Sequence, residues 1–228
     1  MDDDLFFRLA RSEGFAPSST ARILDFGCGD GGFVDRCLAA GYDAWGCDIS
    51  IEQEQQRLKA IREPYALPFP DDSFDFIFSH QVFEHVTQPE VACRELARVL
   101  RPRGVSIHVF PSRHRLVEPH VYVPLASFYS PAWWLLLWAT LGVRNEYQTG
   151  LSARETYERN RAFLLEETNY LTHADIRRAF ESSFAEVRFI ERRLMETSRR
   201  IPRLGRTLLS PALAGIYGAF YQRIVLAR

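Results

Sequence analysis

Ile23-Leu24-Asp25-Phe26-Gly27-Cys28-Gly29-Asp30-Gly31-Gly32-Phe33-Val34 is the stretch that decides the fold. A short apolar run carrying an acid meets a glycine cluster, and an amphipathic segment with Phe33, Val34, Cys37 and Leu38 on one face follows. That is a strand, a tight turn and a helix N-terminus, the junction at which α/β proteins hold nucleotide-like ligands. Glycines suit the turn because it needs backbone angles closed to other residues, and because a ligand lies directly against the main chain. Asp48 closes a second apolar run, Trp45-Gly46-Cys47-Asp48-Ile49-Ser50. It stands about 20 residues beyond the glycines, where a carboxylate can accept hydrogen bonds from both hydroxyls of a ribose.

Two ligand classes share this junction, and spacing alone does not separate them. Gly27-x-Gly29-x-x-Gly32 satisfies the dinucleotide fingerprint. Asp25, two residues before the first glycine, favours another ligand: a carboxylate there would repel a pyrophosphate and suit a cationic amino group and a sulfonium. The block resembles the first motif of class I S-adenosylmethionine (SAM)-dependent methyltransferases, apolar-apolar-Asp/Glu-x-Gly-x-Gly-x-Gly. Ala66-Leu67-Pro68-Phe69-Pro70-Asp71-Asp72-Ser73-Phe74-Asp75 resembles the LPFPDxSFD segment of the small-molecule, type 11 branch of that family. Glu84-His85-Val86 and Leu100-Arg101-Pro102-Arg103-Gly104 are similar to the elements that follow it there. The four blocks cover residues 20 to 112 in the expected order, and beyond 112 the resemblance thins.

The resemblance implies an α/β fold: a Rossmann-like seven-stranded sheet, mostly parallel with the last strand antiparallel, helices on both faces and a helical lid. Residues 1–228 would be one domain, with an N-terminal helix in 1–20 and lid or substrate elements in 112–170 and 195–221. SAM is the implied cofactor, with S-adenosylhomocysteine (SAH) as product and a small-molecule or lipid-like acceptor, apolar or amphipathic. Carried over by position, Asp25 and Gly27 meet the methionine end of SAM, and Cys28, Gly29 and Gly31 form the backbone that passes the ligand. Asp48 holds the ribose and Ile49 packs on the adenine. Glu63, with Ala66 and Leu67 close behind, stands where relatives often carry an aspartate against the adenine amino group. Ser79, His80 and Gln81 would line the methyl-transfer end.

Methyl transfer from a sulfonium is an in-line displacement that needs no covalent nucleophile. Fixing geometry and excluding water can supply roughly 7–11 kcal/mol, so the lack of a catalytic triad excludes nothing. A hydroxyl acceptor gains from a general base, and His80 and His120 are the candidates, since imidazole titrates near neutral pH. The Glu84-His85 pair is shared by relatives with differing substrates, which implies a structural hydrogen bond for His85. His114, Glu118 and His120 are metal-ligand types, but their loop lacks the Asp and Asp-Asn ligands of magnesium-dependent catechol methyltransferases, and no metal is expected. His114 and His120 are instead expected to face the substrate. Two other functions stay open: an NAD(P)-dependent oxidoreductase, disfavoured by Asp25 and Leu67-Pro68-Phe69, and a SAM-binding partner subunit without catalysis.

Composition bounds the rest. A chain of 228 residues with 46% hydrophobic content suits one α/β domain with a full core. A net charge of −1 offers no global attraction to nucleic acid. Cys28, Cys37, Cys47 and Cys93 lack zinc-type pairing and read as small buried residues of a reducing compartment. The chain opens on Asp2-Asp3-Asp4 rather than a basic-then-apolar leader, and the apolar stretch from Pro131 to Val143 falls short of the ~20 residues a bilayer needs. A cytoplasmic location follows as the expectation. Trp133-Trp134-Leu135-Leu136-Leu137-Trp138 reads as a helix packed on the sheet or on a homodimer partner, or as a lid. Contact with a membrane surface is a further reading, with Arg192, Arg193, Arg199, Arg200, Arg203 and Arg206 meeting anionic head groups.

Periodicity and end signals predict helices over 4–12, 32–40 with Gly41 as its left-handed cap, 50–60 behind a Ser50/Gln53 capping box, and 87–100 behind Thr87/Glu90. Further helices are predicted from Ser130-Pro131, over 153–167, from Thr172 to 180, and over 204–221 with a break at Ser210-Pro211. Strands are predicted over 23–26, 42–47, 61–63, 74–79, 105–110, 185–190 and 222–226.

Overall fold

The structure, a computed structural model, describes residues 4–63, 65–197 and 210–228. Its seven strands are β1 (Arg22–Phe26), β2 (Asp43–Asp48), β3 (Leu58–Ala60), β4 (Phe74–His80), β5 (Leu100–Pro111), β6 (Val187–Phe189) and β7 (Gln222–Ala227). They form one sheet in the order β3-β2-β1-β4-β5-β7-β6. β1 to β5 pair in parallel, whereas β7 inserts between β5 and β6 and runs antiparallel to both. This is the expected seven-stranded arrangement.

The central strands are apolar on both faces because helices cover both. On one side Leu24, Phe26 and Ile77 pack with Leu96 of α3 (Pro89–Val99) and Phe180 of α6 (His173–Glu181). On the other, Ile23, Phe76 and Phe78 pack with Phe6 of α1 (Asp4–Ser12) and Val34 of α2 (Gly32–Ala39). A third, smaller core joins Val121, Val123 and Ala126 to Leu135 of α4 (Ala132–Thr140) and to Tyr157 and Phe163 of α5 (Ala153–Glu166). This appendage is built from the segment after β5. α7 (Glu191–Thr197), which no sequence signal marked, follows β6, and α8 (Ser210–Phe220) leads into β7. The predicted 204–209 portion lies outside the described residues.

Two predicted capping boxes do not form, because Ser50 is held by Asp48 behind it and Thr87 by Tyr65. Ser50 Oγ donates back to Asp48 Oδ1 at 2.7 Å, and Glu54 accepts from the Ala60 amide at 3.2 Å. The chain therefore stays irregular after β2, and β3 begins at Leu58, not at the predicted Ile61. The Thr87 amide donates to the Tyr65 hydroxyl at 2.8 Å, and α3 starts at Pro89 with Gln88 as its cap residue. Proline suits the first helical turn, where an N–H would have no partner. Thr172 does cap α6, through a reciprocal box with Asp175, and Ser152 and Glu155 form another at α5.

The Leu67-to-Asp75 motif folds as a clamped turn. Arg98 on α3 donates to the carbonyls of Leu67 (3.0 Å) and Phe69 (2.8 Å) and to the carboxylates of Asp71 (2.8 Å) and Glu95 (2.7 Å). Glu95 in turn accepts from the Leu67 amide at 2.9 Å, while Asp75 accepts from the Arg22 amide and pairs with Arg101. The motif thus fixes the entry into β4 and the edge of the cleft beside it.

Candidate functional site

The turn after β1 is tied to β2 by main-chain bonds. The amides of Gly27 and Cys28 donate to the Cys47 carbonyl at 2.8 and 3.2 Å, and the Gly29 amide donates to Asp48 Oδ2 at 2.8 Å. Asp48 Oδ1 accepts from both the amide and the hydroxyl of Ser50. Oδ2 therefore keeps a lone pair. Gly27 has φ +79, and a Cβ there would lie 2.2 Å from Val82 Cγ2, so the close approach of Val82 admits glycine alone. Gly29 has φ +54, and a Cβ there would meet nothing within 4 Å, so its outer side is open space. A Cβ on Gly31 would lie 2.5 Å from Leu58, which makes this glycine a packing requirement of β3 instead of a ligand approach.

A cavity of ≈ 640 Å³ opens beyond the carboxyl ends of β1, β2 and β4, where α/β sheets bind ligands. Gly27, Asp48, Ile49 and Glu63 line it, together with Tyr65, Gln81, Val82 and His85. Ile49 is 75% exposed, an apolar surface at the mouth that can take a flat ring. Asp25 precedes two lining residues, Phe26 and Gly27, and is itself 6% exposed. Burial pushes its carboxyl up to about 8, with the charge of Asp48 acting in the same direction and Arg36 opposing. Asp25 therefore holds its proton to higher pH than an ordinary carboxyl.

Besides Gly31, five predicted site residues lie elsewhere. Cys28 is buried against Gly46 and Val34, where burial raises its thiol to about 12, so the side chain belongs to the core. All four cysteines are buried and free. Leu67 is core and Ala66 is exposed outside the cleft lining. Ser79 is fully buried, its hydroxyl 2.8 Å from His108 Nδ1 inside the sheet. His80 packs edge-on against Phe6 of α1 at 6.3 Å, outside the cleft lining, and burial lowers its pKa to about 4. Strand alternation explains both misplacements. The chain leaves β4 through Gln81 at φ +57, and this left-handed residue turns Gln81, Val82 and His85 into the cleft.

His120 lines a second cavity of ≈ 440 Å³ with Val121, Asn145, Gln148, Arg159 and Phe163. Glu118, fully buried, accepts from the His120 amide (2.7 Å), from His120 Nδ1 (2.8 Å), from the Val121 amide and from the Tyr170 hydroxyl. Burial opposes charge on both partners. The hydrogen bonds nevertheless hold Glu118 below the ordinary carboxylate range and raise His120 above the ordinary imidazole value. The His85 ring, from the first cavity, stands 5.2 Å from the His120 ring, and both touch Phe163. His85 does make a structural hydrogen bond, from Nδ1 to the Glu167 carbonyl at 2.6 Å. His114 is exposed against Phe128 and joins neither cavity lining. Glu84, next to His85, is buried, and burial pushes its carboxyl up to about 8.

No α4 residue lines either cavity. Trp134 is anchored by its indole N–H on the Pro124 carbonyl at 2.7 Å, whereas Trp133 is 57% exposed. Arg192 and Arg193 are paired with Glu196 and Glu13, and Arg199, Arg200, Arg203 and Arg206 lie outside the described residues. Among the described residues no helix is long and apolar enough to cross a membrane.

Residues 24–108 match the family model of a methyltransferase domain. The 2-methyl-6-phytyl-1,4-hydroquinone methyltransferase of Synechocystis is 34% identical over 97 residues, covering 37% of this chain and 30% of that protein. The malonyl-(acyl-carrier protein) O-methyltransferase of Erwinia pyrifoliae is 36% identical over 95 residues, covering 39% of this chain and 36% of its own. The chain thus spans about a third of the length of these curated relatives. A SAM-dependent methyltransferase structure from Mesorhizobium loti aligns over 98% of this chain and 97% of its own with a TM-score of 0.55 at 18% identity, a likeness of fold.

Proposed function

We propose that the chain, whose residues 24–108 match the family model of a methyltransferase domain, transfers a methyl group from SAM to a small-molecule acceptor. The observation that carries this reading is the latch between Gly29 and Asp48, which sets an open glycine turn beside a carboxylate with a spare lone pair at the ends of β1 and β2. The residues present fit the cofactor. Asp48 Oδ2 can accept one ribose hydroxyl directly, and Oδ1 can accept the second by releasing the Ser50 hydroxyl. Ile49 offers an apolar surface to the adenine, with Glu63 at the same end. Asp25 would hold the cationic amino group as an ion pair, its own proton passing to solvent on binding. When bound, SAM supplies a methyl carbon already activated by its sulfonium leaving group. The protein orients the partners and excludes water, the contributions this displacement needs.

The second cavity supports an acceptor with an apolar body and a polar head. Val121 and Phe163 offer contact area, and His120, Asn145, Gln148 and Arg159 offer polar groups. The curated relatives named above are a methyltransferase of 2-methyl-6-phytyl-1,4-hydroquinone and an O-methyltransferase of malonyl-(acyl-carrier protein). An oxidoreductase is not favoured, since the dinucleotide fold orders its strands 3-2-1-4-5-6, without an antiparallel β7 between β5 and β6. Trp133, Leu136, Leu137 and Leu141 at the surface of α4 support peripheral contact with a membrane. A homodimer through α4 is the competing occupant, and vesicle sedimentation beside light scattering separates the two.

Ultraviolet cross-linking of methyl-labelled SAM, followed by peptide mapping, tests the assignment. Label is expected on peptides spanning Phe26 to Gly31 and Asp48 to Tyr65, with protection by SAH. Label elsewhere, or protection by NAD in place of SAH, would overturn it.

A further inference from the structure

Glu84 has no part in cofactor binding as described, and its surroundings are unusual for a carboxyl. It is 1% exposed, and neither carboxylate oxygen has a hydrogen-bond partner among the described residues. Buried polar groups are nearly always satisfied, so an orphaned pair of oxygens points to a missing partner. Two imidazoles stand beside it in a fixed tautomer. His85 Nδ1 faces the Glu167 carbonyl, which can only accept, and His120 Nδ1 faces the Glu118 carboxylate. Each Nδ1 therefore carries the hydrogen, and with both rings neutral each Nε2 presents a lone pair. A carbonyl or carboxylate behind Nδ1 is the usual outer support of a metal-bound histidine. Ligand atoms of Glu84, His85 and His120 all lie within 4.8 Å of one another.

The backbone that presents them is pinned. The Asn169 amide donates to the Glu84 carbonyl at 2.5 Å, its side chain donates to the Val86 carbonyl at 2.7 Å, and Asn145 Nδ2 donates to the His120 carbonyl at 2.9 Å. The two segments that carry these side chains are thereby held in place by two others.

We propose that Glu84, His85 and His120 bind one divalent first-row transition-metal ion at the boundary between the cofactor cleft and the second cavity. Two imidazoles and one carboxylate suit Zn²⁺ and its first-row neighbours and leave coordination positions open, whereas Mg²⁺ and Ca²⁺ prefer all-oxygen sets. His85 lines one cavity and His120 the other, so an open position faces the region where an acceptor would meet the methyl donor. That placement makes an oxygen-donor acceptor the matching chemistry. The acceptor class rests on the methyltransferase reading, but metal binding does not. The revision to the no-metal expectation lies in the ligand set: His114 is absent from it and Glu118 acts from behind.

The test is titration of chelator-stripped protein with Co²⁺, read by its visible absorption, and with Zn²⁺ by calorimetry. One ion per chain is expected. Glu84→Gln and His120→Asn should each abolish the cobalt bands, and Glu118→Gln should weaken binding about 10–100-fold. Thermal melts and SAH titration of the same variants show that they fold. Wild-type protein that binds SAH but takes up no more Co²⁺ or Zn²⁺ than the Glu84→Gln/His120→Asn double variant would overturn the proposal, leaving a metal-free acid–imidazole cluster. Metal binding without SAH binding would instead overturn the methyltransferase reading and leave this site standing.

Discussion

Replacing Asp25 with Asn should move stability and ligand affinity in opposite directions. The carboxyl titrates near 8 in the folded protein against an ordinary value of 3.8, mainly because it is buried. Below pH 3.8 both folded and unfolded chains hold the proton. Between 3.8 and about 8 unfolding releases it, so Asp25 costs about 1.4 kcal/mol of stability per pH unit across that window, and the loss is complete above 8. By pH 7 the accumulated cost is about 4 kcal/mol as an upper limit. Asn has nearly the same shape and no charge. Asp25→Asn should therefore stabilise the apoprotein, with a gain that grows between pH 5 and pH 8. The same change removes the partner of the ligand's amino group and should weaken SAH binding by about 1.5–3 kcal/mol. Urea unfolding at several pH values and calorimetric titration with SAH measure the two effects. A pH-independent stability difference, or unchanged SAH affinity, would refute the reasoning.

Asp48→Ala should cost about 1.5–3 kcal/mol in SAH affinity, measured by calorimetry on protein shown to be folded by its melt. Gly29→Val should abolish SAH binding yet lower stability by only about 1–3 kcal/mol, because the side chain enters open space and the cost is that of φ +54 alone. Arg98→Ala releases the clamp on Leu67, Phe69 and Asp71 and should lower stability by about 2–3 kcal/mol in a denaturant melt. Trp133→Ala should leave SAH affinity unchanged and reduce sedimentation with anionic vesicles, since Trp133 is exposed and lines neither cavity. An equal loss of SAH affinity would return α4 to the role of lid.

The sheet and the cofactor side are legible in the sequence because their signals are local. A strand, three glycines at left-handed φ and a helix lie within a dozen residues, and Asp48 closes the next strand. The segment from Ser50 to Ala60 reads as a helix but does not form one, because Asp48, not the chain ahead, takes the Ser50 hydroxyl. Ser79 and His80 fall outside the cleft because of the end of β4, where Gln81 adopts a left-handed conformation that its residue type does not announce. The Glu84, His85 and His120 cluster is out of reach for another reason. Its members come together through Phe163, Glu167 and Asn169, contacts between distant segments that no spacing encodes. What the sequence does offer is the pair of adjacent ligand types at Glu84-His85 and the Glu118-x-His120 spacing.

The central claim is that the cleft between the glycine turn and Asp48 is a SAM site. Calorimetric titration of the intact chain with SAH, in parallel with NAD and repeated on Asp48→Ala, tests it most directly. The account predicts saturable binding of one SAH per chain, no comparable heat with NAD, and a clear loss of affinity in the variant. Absence of SAH binding by folded wild-type protein, or an Asp48→Ala variant that binds as tightly, would contradict it.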